Sequence, residues 1–347
     1  MRFARKAIVG LALFTGALAI GNYSIESAEL YRWPAVNEFA PTRAKPFGYW
    51  IARDFQNTVP APDIVVFGDS QLGGLRSADA KFAQANLDFA LDHRSYALES
   101  ILNNDVDKFK TFVISQPGAL LSDYLAIAES LLSDTKKPDR VILAVTPRVF
   151  LSNGLPFPGH SEYYRYFSAN VALGSIYDLA FPTVESKMHA VFQSMSRSHL
   201  STVAPGQFVF IPDDPQRFND KIEMYPANFS YDGKDCEQQM QFLDKMLKFL
   251  NDQNIVASVV SMPMMNTGAV SEFRKLQPDL ASRIRASCKK YDAEYWDLTD
   301  DEDFSREDFL DPIHLSQAGG EKFAITLTAR LKGAMETEKP RSAAIND

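Results

Sequence analysis

The chain has 347 residues, of which 46% are hydrophobic and 12% aromatic. That length suits one large α/β domain with insertions or two small domains, and the apolar content builds a full core, which excludes a chain disordered throughout. The formal net charge of −8 argues against nucleic acid as the main partner, because phosphate binding needs a basic face.

At the N-terminus, Arg2, Arg5 and Lys6 precede an uncharged apolar run from Ala7 to Gly21. Two readings of residues 1–22 stay open. One is a signal peptide with small residues at Ala17 and Ala19; the other is an uncleaved anchor, short for a span of about 20 residues. Both place the following chain outside the cytoplasm, since the cations stay inside. Residues 23–60 mix aromatics and prolines without a period, and read as a tether followed by a segment that packs on the domain.

The α/β domain is expected over residues 61–335. Asp63–Phe67 is a short apolar run ending at Gly68, which marks a buried strand. A helix is expected from about Ala78 to Leu102, a second strand over Lys110–Ile114 and a helix over 119–133. Asp139–Val145 is the third strand. From about 150 to 234 the pattern gives way to an aromatic-rich insertion containing Tyr163, Tyr164, Tyr166 and Phe167, which stack on sugar rings or pack a core. A helix over Glu237–Asn251, a strand over Ile255–Val260, a helix over 271–290, a strand over Glu294–Leu298 and a helix over Ser316–Leu331 complete the series. Residues 336–347 read as a disordered tail. Alternating strands and helices imply a mostly parallel sheet covered on both faces, with ligands at the carboxyl ends of its strands.

Two segments carry chemistry. The first strand runs into Gly68-Asp69-Ser70-Gln71, so Ser70 stands just past a strand's carboxyl end. There it either caps a helix or serves as a nucleophile that needs a base. Far downstream, Asp311-Pro312-Ile313-His314 lies between the fifth strand and the last helix. A carboxylate three residues before a histidine in a loop can fold back on the ring. His314 then takes the Ser70 proton and Asp311 fixes its tautomer. The other histidines are placed elsewhere: His93 in a helix, and His160, His189 and His199 in the insertion.

Three further features have plain readings. The acidic run Asp300–Asp303 reads as a solvated loop, and Met262, Met264 and Met265 as packing or pocket-lining residues. Cys236 and Cys288 form no metal-ligand pattern, so no metal or cofactor is expected; whether the two thiols pair is left open by the sequence.

The Gly68-Asp69-Ser70 block after the first strand and the Asp311-x-x-His314 block before the last helix together resemble the SGNH/GDSL hydrolase superfamily. The resemblance covers about residues 63–145 and 255–330. It implies a flavodoxin-like three-layer sandwich with Ser70, Asp311 and His314 as its catalytic residues. It also implies an oxyanion hole of the Ser70 N–H and a glycine after the second strand, matched by Gly118, although an ordinary turn glycine explains that residue equally. An asparagine is implied after the third strand, but the chain reads Thr146-Pro147-Arg148-Val149-Phe150, and Asn153 has the wrong spacing. Arg148 either holds an anionic group at the cleft mouth or makes a structural ion pair. A missing oxyanion donor costs roughly 3 kcal/mol of transition-state stabilisation.

The layout of apolar N-terminus, Ser and Asp-x-x-His blocks and aromatic insertion is similar to that of envelope-polymer acylation proteins of the alginate O-acetylation and D-alanyl transfer types. That likeness implies a retained anchor, a carbohydrate acyl ester as substrate and a membrane-bound O-acyltransferase as partner. The competing reading is a non-catalytic partner or polysaccharide-binding protein with a degenerate site.

Overall fold

The computed structural model describes residues 45–103, 109–132, 136–150, 163–164, 166–167, 202–213, 218 and 233–343. The N-terminal segment 1–22, the tether as far as residue 44 and most of the insertion, including His160, His189 and His199, lie outside them. No helix among the described residues is long and apolar enough to cross a membrane.

The centre is a five-stranded sheet of β1 (Ile64–Gly68), β2 (Thr111–Ser115), β3 (Arg140–Val145), β4 (Val256–Ser261) and β5 (Glu294–Asp297). Its order is β2-β1-β3-β4-β5 and every pairing is parallel. Strands β1 to β3 are buried along their whole length, which explains why they read as continuous apolar runs. Side chains alternate between two cores. Val65, Phe67, Phe112, Ile114, Val141 and Leu143 face one; Ile64, Val66, Val113, Ile142 and Ala144 face the other.

The first core is covered by α1 (Phe47–Asn57), α4 (Leu121–Leu131), α5 (Gly233–Asp252) and α6 (Ser271–Lys290). The second is covered by α2 (Gly73–Ala83), α3 (Tyr96–Leu102) and α7 (Gln317–Ala343). The result is the expected α/β/α sandwich. The segment before the first strand does pack on the domain: Trp50 of α1 is buried and donates its indole N–H to the Val203 carbonyl at 3.0 Å.

Three expectations change. The single helix from Ala78 to Leu102 is two helices. Gln84 takes φ of 51° and ends α2; Leu87–Asp88 then pairs antiparallel with Val209–Phe210, and the Ser95 hydroxyl accepts the Leu98 N–H to start α3. No glycine or proline marks that break. His93 therefore lies in a loop and not in a helix. The last helix also passes Leu331 and Glu336 and continues to Ala343.

Cys236 and Cys288 form no disulfide with each other, and both are buried. Tyr163, Tyr166 and Phe167 of the insertion are buried in the first core, so packing is their role. Asp300 of the acidic run pairs with Arg274, and Met262 and Met264 are buried.

Candidate active site

The Ser70 turn starts where β1 ends. Asp69 caps the 3-10 turn Ser70–Leu72, accepting the Gln71 N–H on Oδ1 at 2.9 Å. Asp69 thus performs the capping that the sequence allowed for Ser70, and the Ser70 hydroxyl is left for another partner. Two bonds tie this turn to the end of β2: the Gln116 N–H donates to the Gly68 carbonyl at 3.0 Å, and the Ser115 hydroxyl to the Asp69 carbonyl at 3.1 Å. Burial pushes the Asp69 carboxyl above its ordinary range, and the positive charge of Arg148 pulls against that.

The second segment is a tight loop. Phe309 and Leu315 form an antiparallel bridge, and the Leu310 N–H donates to the His314 carbonyl at 2.7 Å. Inside it, Asp311 Oδ1 accepts the Ile313 N–H at 3.0 Å and the His314 N–H at 2.9 Å. Asp311 Oδ2 lies 2.8 Å from His314 Nδ1. The loop is pinned outside as well: the Met265 N–H donates to the Pro312 carbonyl at 3.0 Å, and Ile313 packs with Met264, Val270 and Phe273. Burial pushes the Asp311 carboxyl up, but the hydrogen bonds and charge of His314 and the two backbone N–H groups outweigh it, so the group sits below its ordinary range.

His314 Nε2 lies 2.9 Å from Ser70 Oγ. A carboxylate acceptor at Nδ1 assigns the ring proton to that nitrogen and leaves Nε2 as the acceptor of the Ser70 hydroxyl. The three predicted catalytic residues are therefore brought together in the order the chemistry needs. Asp311 is buried, while the His314 side chain keeps 23% of its surface open at the cleft.

Two glycines set this distance. A Cβ on Gly74, in the first turn of α2, would stand 2.5 Å from the Leu315 side chain and 2.8 Å from its carbonyl. A Cβ on Gly320, in α7, would overlap the Gly74 carbonyl. The helix that follows the serine and the helix that follows the histidine touch backbone to backbone.

The remaining two candidates stand at neighbouring strand ends. Gly118 takes φ of +78° in the turn after β2, a conformation that favours glycine. Neither the Ser70 nor the Gly118 N–H enters a backbone hydrogen bond among the described residues. Arg148 lies in the 3-10 turn after β3 and donates from Nη1 to the Ala119 carbonyl at 3.2 Å. Sequence reading missed a further trait of this end of the sheet. Asp69 Oδ2, Gln71 Oε1, both Gln116 amide atoms and Thr146 Oγ1 are buried without a partner among the described residues. A polar residue directly after an apolar strand is the only signal that pointed there.

A serine meeting a histidine that a buried carboxylate orients, at the carboxyl edge of a parallel sheet, is an arrangement that can supply a serine nucleophile and its general base. No protein-family model and no curated protein matches the chain. Among solved structures, the chain is similar to a GDSL-like lipase from Bacteroides thetaiotaomicron, at 13% identity and a TM-score of 0.39 over 84% of this chain and 98% of that one. It is similar to AlinE4, an SGNH-hydrolase family esterase, at 15% identity and a TM-score of 0.34 over 80% and 98%. It is also similar to an acetyl xylan esterase, AlAXEase, at 14% identity and a TM-score of 0.38 over 77% and 98%.

Proposed function

We propose that this chain is a serine esterase or O-acyltransferase that acts on acyl esters, acetyl esters above all, of an extracytoplasmic carbohydrate. The observation that carries the reading is the unbroken relay from Ser70 Oγ through His314 to Asp311, at 2.9 Å and 2.8 Å. In the first step Ser70 Oγ attacks the acyl carbon while its proton passes to His314 Nε2. Asp311 stabilises the imidazolium that forms. The Ser70 and Gly118 N–H groups, both uncommitted among the described residues, face the developing oxyanion. Collapse of the tetrahedral intermediate breaks the ester C–O bond, and His314 returns the proton to the leaving hydroxyl. Water or a sugar hydroxyl then attacks the acyl-serine by the reverse sequence.

The extracytoplasmic setting, the retained anchor, the carbohydrate substrate and a membrane-bound O-acyltransferase partner rest on the sequence. Their support is the cationic and apolar N-terminus and the layout of motifs and aromatic insertion. The intact relay favours an enzyme over a non-catalytic partner with a degenerate site. The test is labelling of the full chain with a fluorophosphonate probe, together with hydrolysis of p-nitrophenyl acetate. Labelling at Ser70 that disappears in Ser70→Ala and collapses in His314→Ala is expected. A folded wild-type protein that neither takes the label nor cleaves the ester overturns the reading.

A further inference from the structure

Two other arginines of the sandwich have carboxylate partners. Arg140, at the start of β3, pairs with Glu294 at 2.6 Å and bonds the Ser258 hydroxyl at 2.8 Å. Arg76 of α2 pairs with Asp79 and bonds the carbonyls of Asp92 and Arg94. Arg148 differs from both. It is half-buried, where a charge is worth more than in open water. Yet among the described residues no carboxylate lies within ion-pair distance, and its one hydrogen bond goes from Nη1 to the Ala119 carbonyl. The nearby Asp69 carboxyl feels its charge but spends Oδ1 on the Gln71 N–H. Among the described residues the ion-pair role that the sequence allowed for Arg148 has no contact behind it, only the longer-range pull of its charge on the buried Asp69 carboxyl.

The guanidinium is also aimed. A Cβ built on Gly118 would stand 3.5 Å from Arg148 Nη2. The side chain therefore lies over the turn whose N–H is uncommitted, held there by its bond to the next residue's carbonyl. Ser70, Gly118 and Arg148 follow β1, β2 and β3, three adjacent parallel strands, so all three stand at one edge of the sheet. From this placement we infer that Arg148 is a catalytic residue: its Nη2 donates to the oxyanion of the tetrahedral intermediate beside the Ser70 and Gly118 N–H groups, as a charged third donor. The inference rests on the acyl-transfer reading above. It gives the site a cation where charge develops, tethered in advance by Nη1 so that little reorganisation accompanies the reaction.

The test uses the full chain and a neutral ester, p-nitrophenyl acetate. Wild type and Ser70→Ala come first: if wild type is inactive or Ser70→Ala retains activity, the acyl-transfer reading itself fails. Once that reading stands, Arg148→Met is expected to lower kcat by about 10²–10³-fold with KM within about threefold. Methylguanidinium in solution is expected to restore part of the rate to Arg148→Ala, which a merely structural arginine does not permit. Arg148→Gln keeps a neutral donor and the reach to the Ala119 carbonyl. It carries the test should Arg148→Met fail to fold, and its kcat is expected to fall about tenfold at an unchanged melting temperature. A kcat within about threefold of wild type in the folded variants overturns the inference. So does a loss that appears only in KM and only for negatively charged esters, which marks an anchor for an anionic substrate.

Discussion

Among the described residues, two histidine–aspartate pairs have nearly the same geometry. His93 Nδ1 lies 2.9 Å from Asp54 Oδ2, and His314 Nδ1 lies 2.8 Å from Asp311 Oδ2. In both, the aspartate also accepts the backbone N–H of the same histidine. The difference is at the other nitrogen. His93 is buried, stacks on Phe112 with ring centroids 4.9 Å apart, and its Nε2 has no partner among the described residues. His314 Nε2 meets Ser70 Oγ and the side chain stays partly open. A carboxylate that fixes a ring's tautomer is thus not a mark of catalysis. What separates the two is a serine hydroxyl on Nε2 and an opening to solvent, the two things the proposed chemistry requires.

Breaking the two pairs in parallel sharpens that contrast. The largest effect is expected from Ser70→Ala, which removes the nucleophile and should lower ester hydrolysis by at least about 10⁴-fold with the fold intact; steady-state rates and circular dichroism check both halves. Asp311→Asn leaves a group that no longer fixes the ring's tautomer, and a fall of about 10³–10⁴-fold in kcat is expected. Asp54→Asn is its matched control, with activity within about threefold and a loss of about 1–3 kcal/mol in urea unfolding, because a neutral amide oxygen replaces the charged carboxylate that both His93 N–H donors meet. A large activity loss in Asp54→Asn alone would show that the two pairs are not separate in function.

The smallest effect is one of pH. The folded Asp311 carboxyl titrates below its ordinary value of 3.8. A depressed carboxyl contributes stability above the unfolded value and loses it as pH falls through the folded one. The melting-temperature gap between wild type and Asp311→Asn should therefore hold steady from neutral pH down to about pH 5 and narrow below the ordinary carboxylate range. A gap that narrows between pH 7 and 5 contradicts the assignment.

Much of this was legible in the sequence for one reason. Parallel strands buried on both faces are written as unbroken apolar runs, so β1 to β4 could be read within a residue or so of their ends. The polar residues that follow such runs fall at the ligand edge, which located Ser70 and Arg148. The Asp311–His314 spacing worked because the carboxylate at the start of the loop reaches the backbone N–H groups of Ile313 and His314 and the His314 ring at its end. Other features depend on packing that no local pattern records. Gln84 ends a helix in a left-handed conformation without being glycine or asparagine. The role of Asp69 as the cap of the serine turn could not be told from that of Ser70, since both residue types cap helices. His93 and His314 each have an aspartate partner, but that of His93 lies 39 residues away and only the fold brings it near.

The backbone contact between Gly74 and Gly320 has a consequence for the newly made chain. Ser70 emerges from synthesis 244 positions ahead of His314, the ring that its hydroxyl meets in the folded chain. Until α7 docks against α2, the serine is an ordinary alcohol at the end of a strand. On the proposed acyl-transfer reading, the docking that completes the fold also assembles the site, so a truncated or half-folded copy is expected to be inert and ester hydrolysis to report that the last helix has arrived.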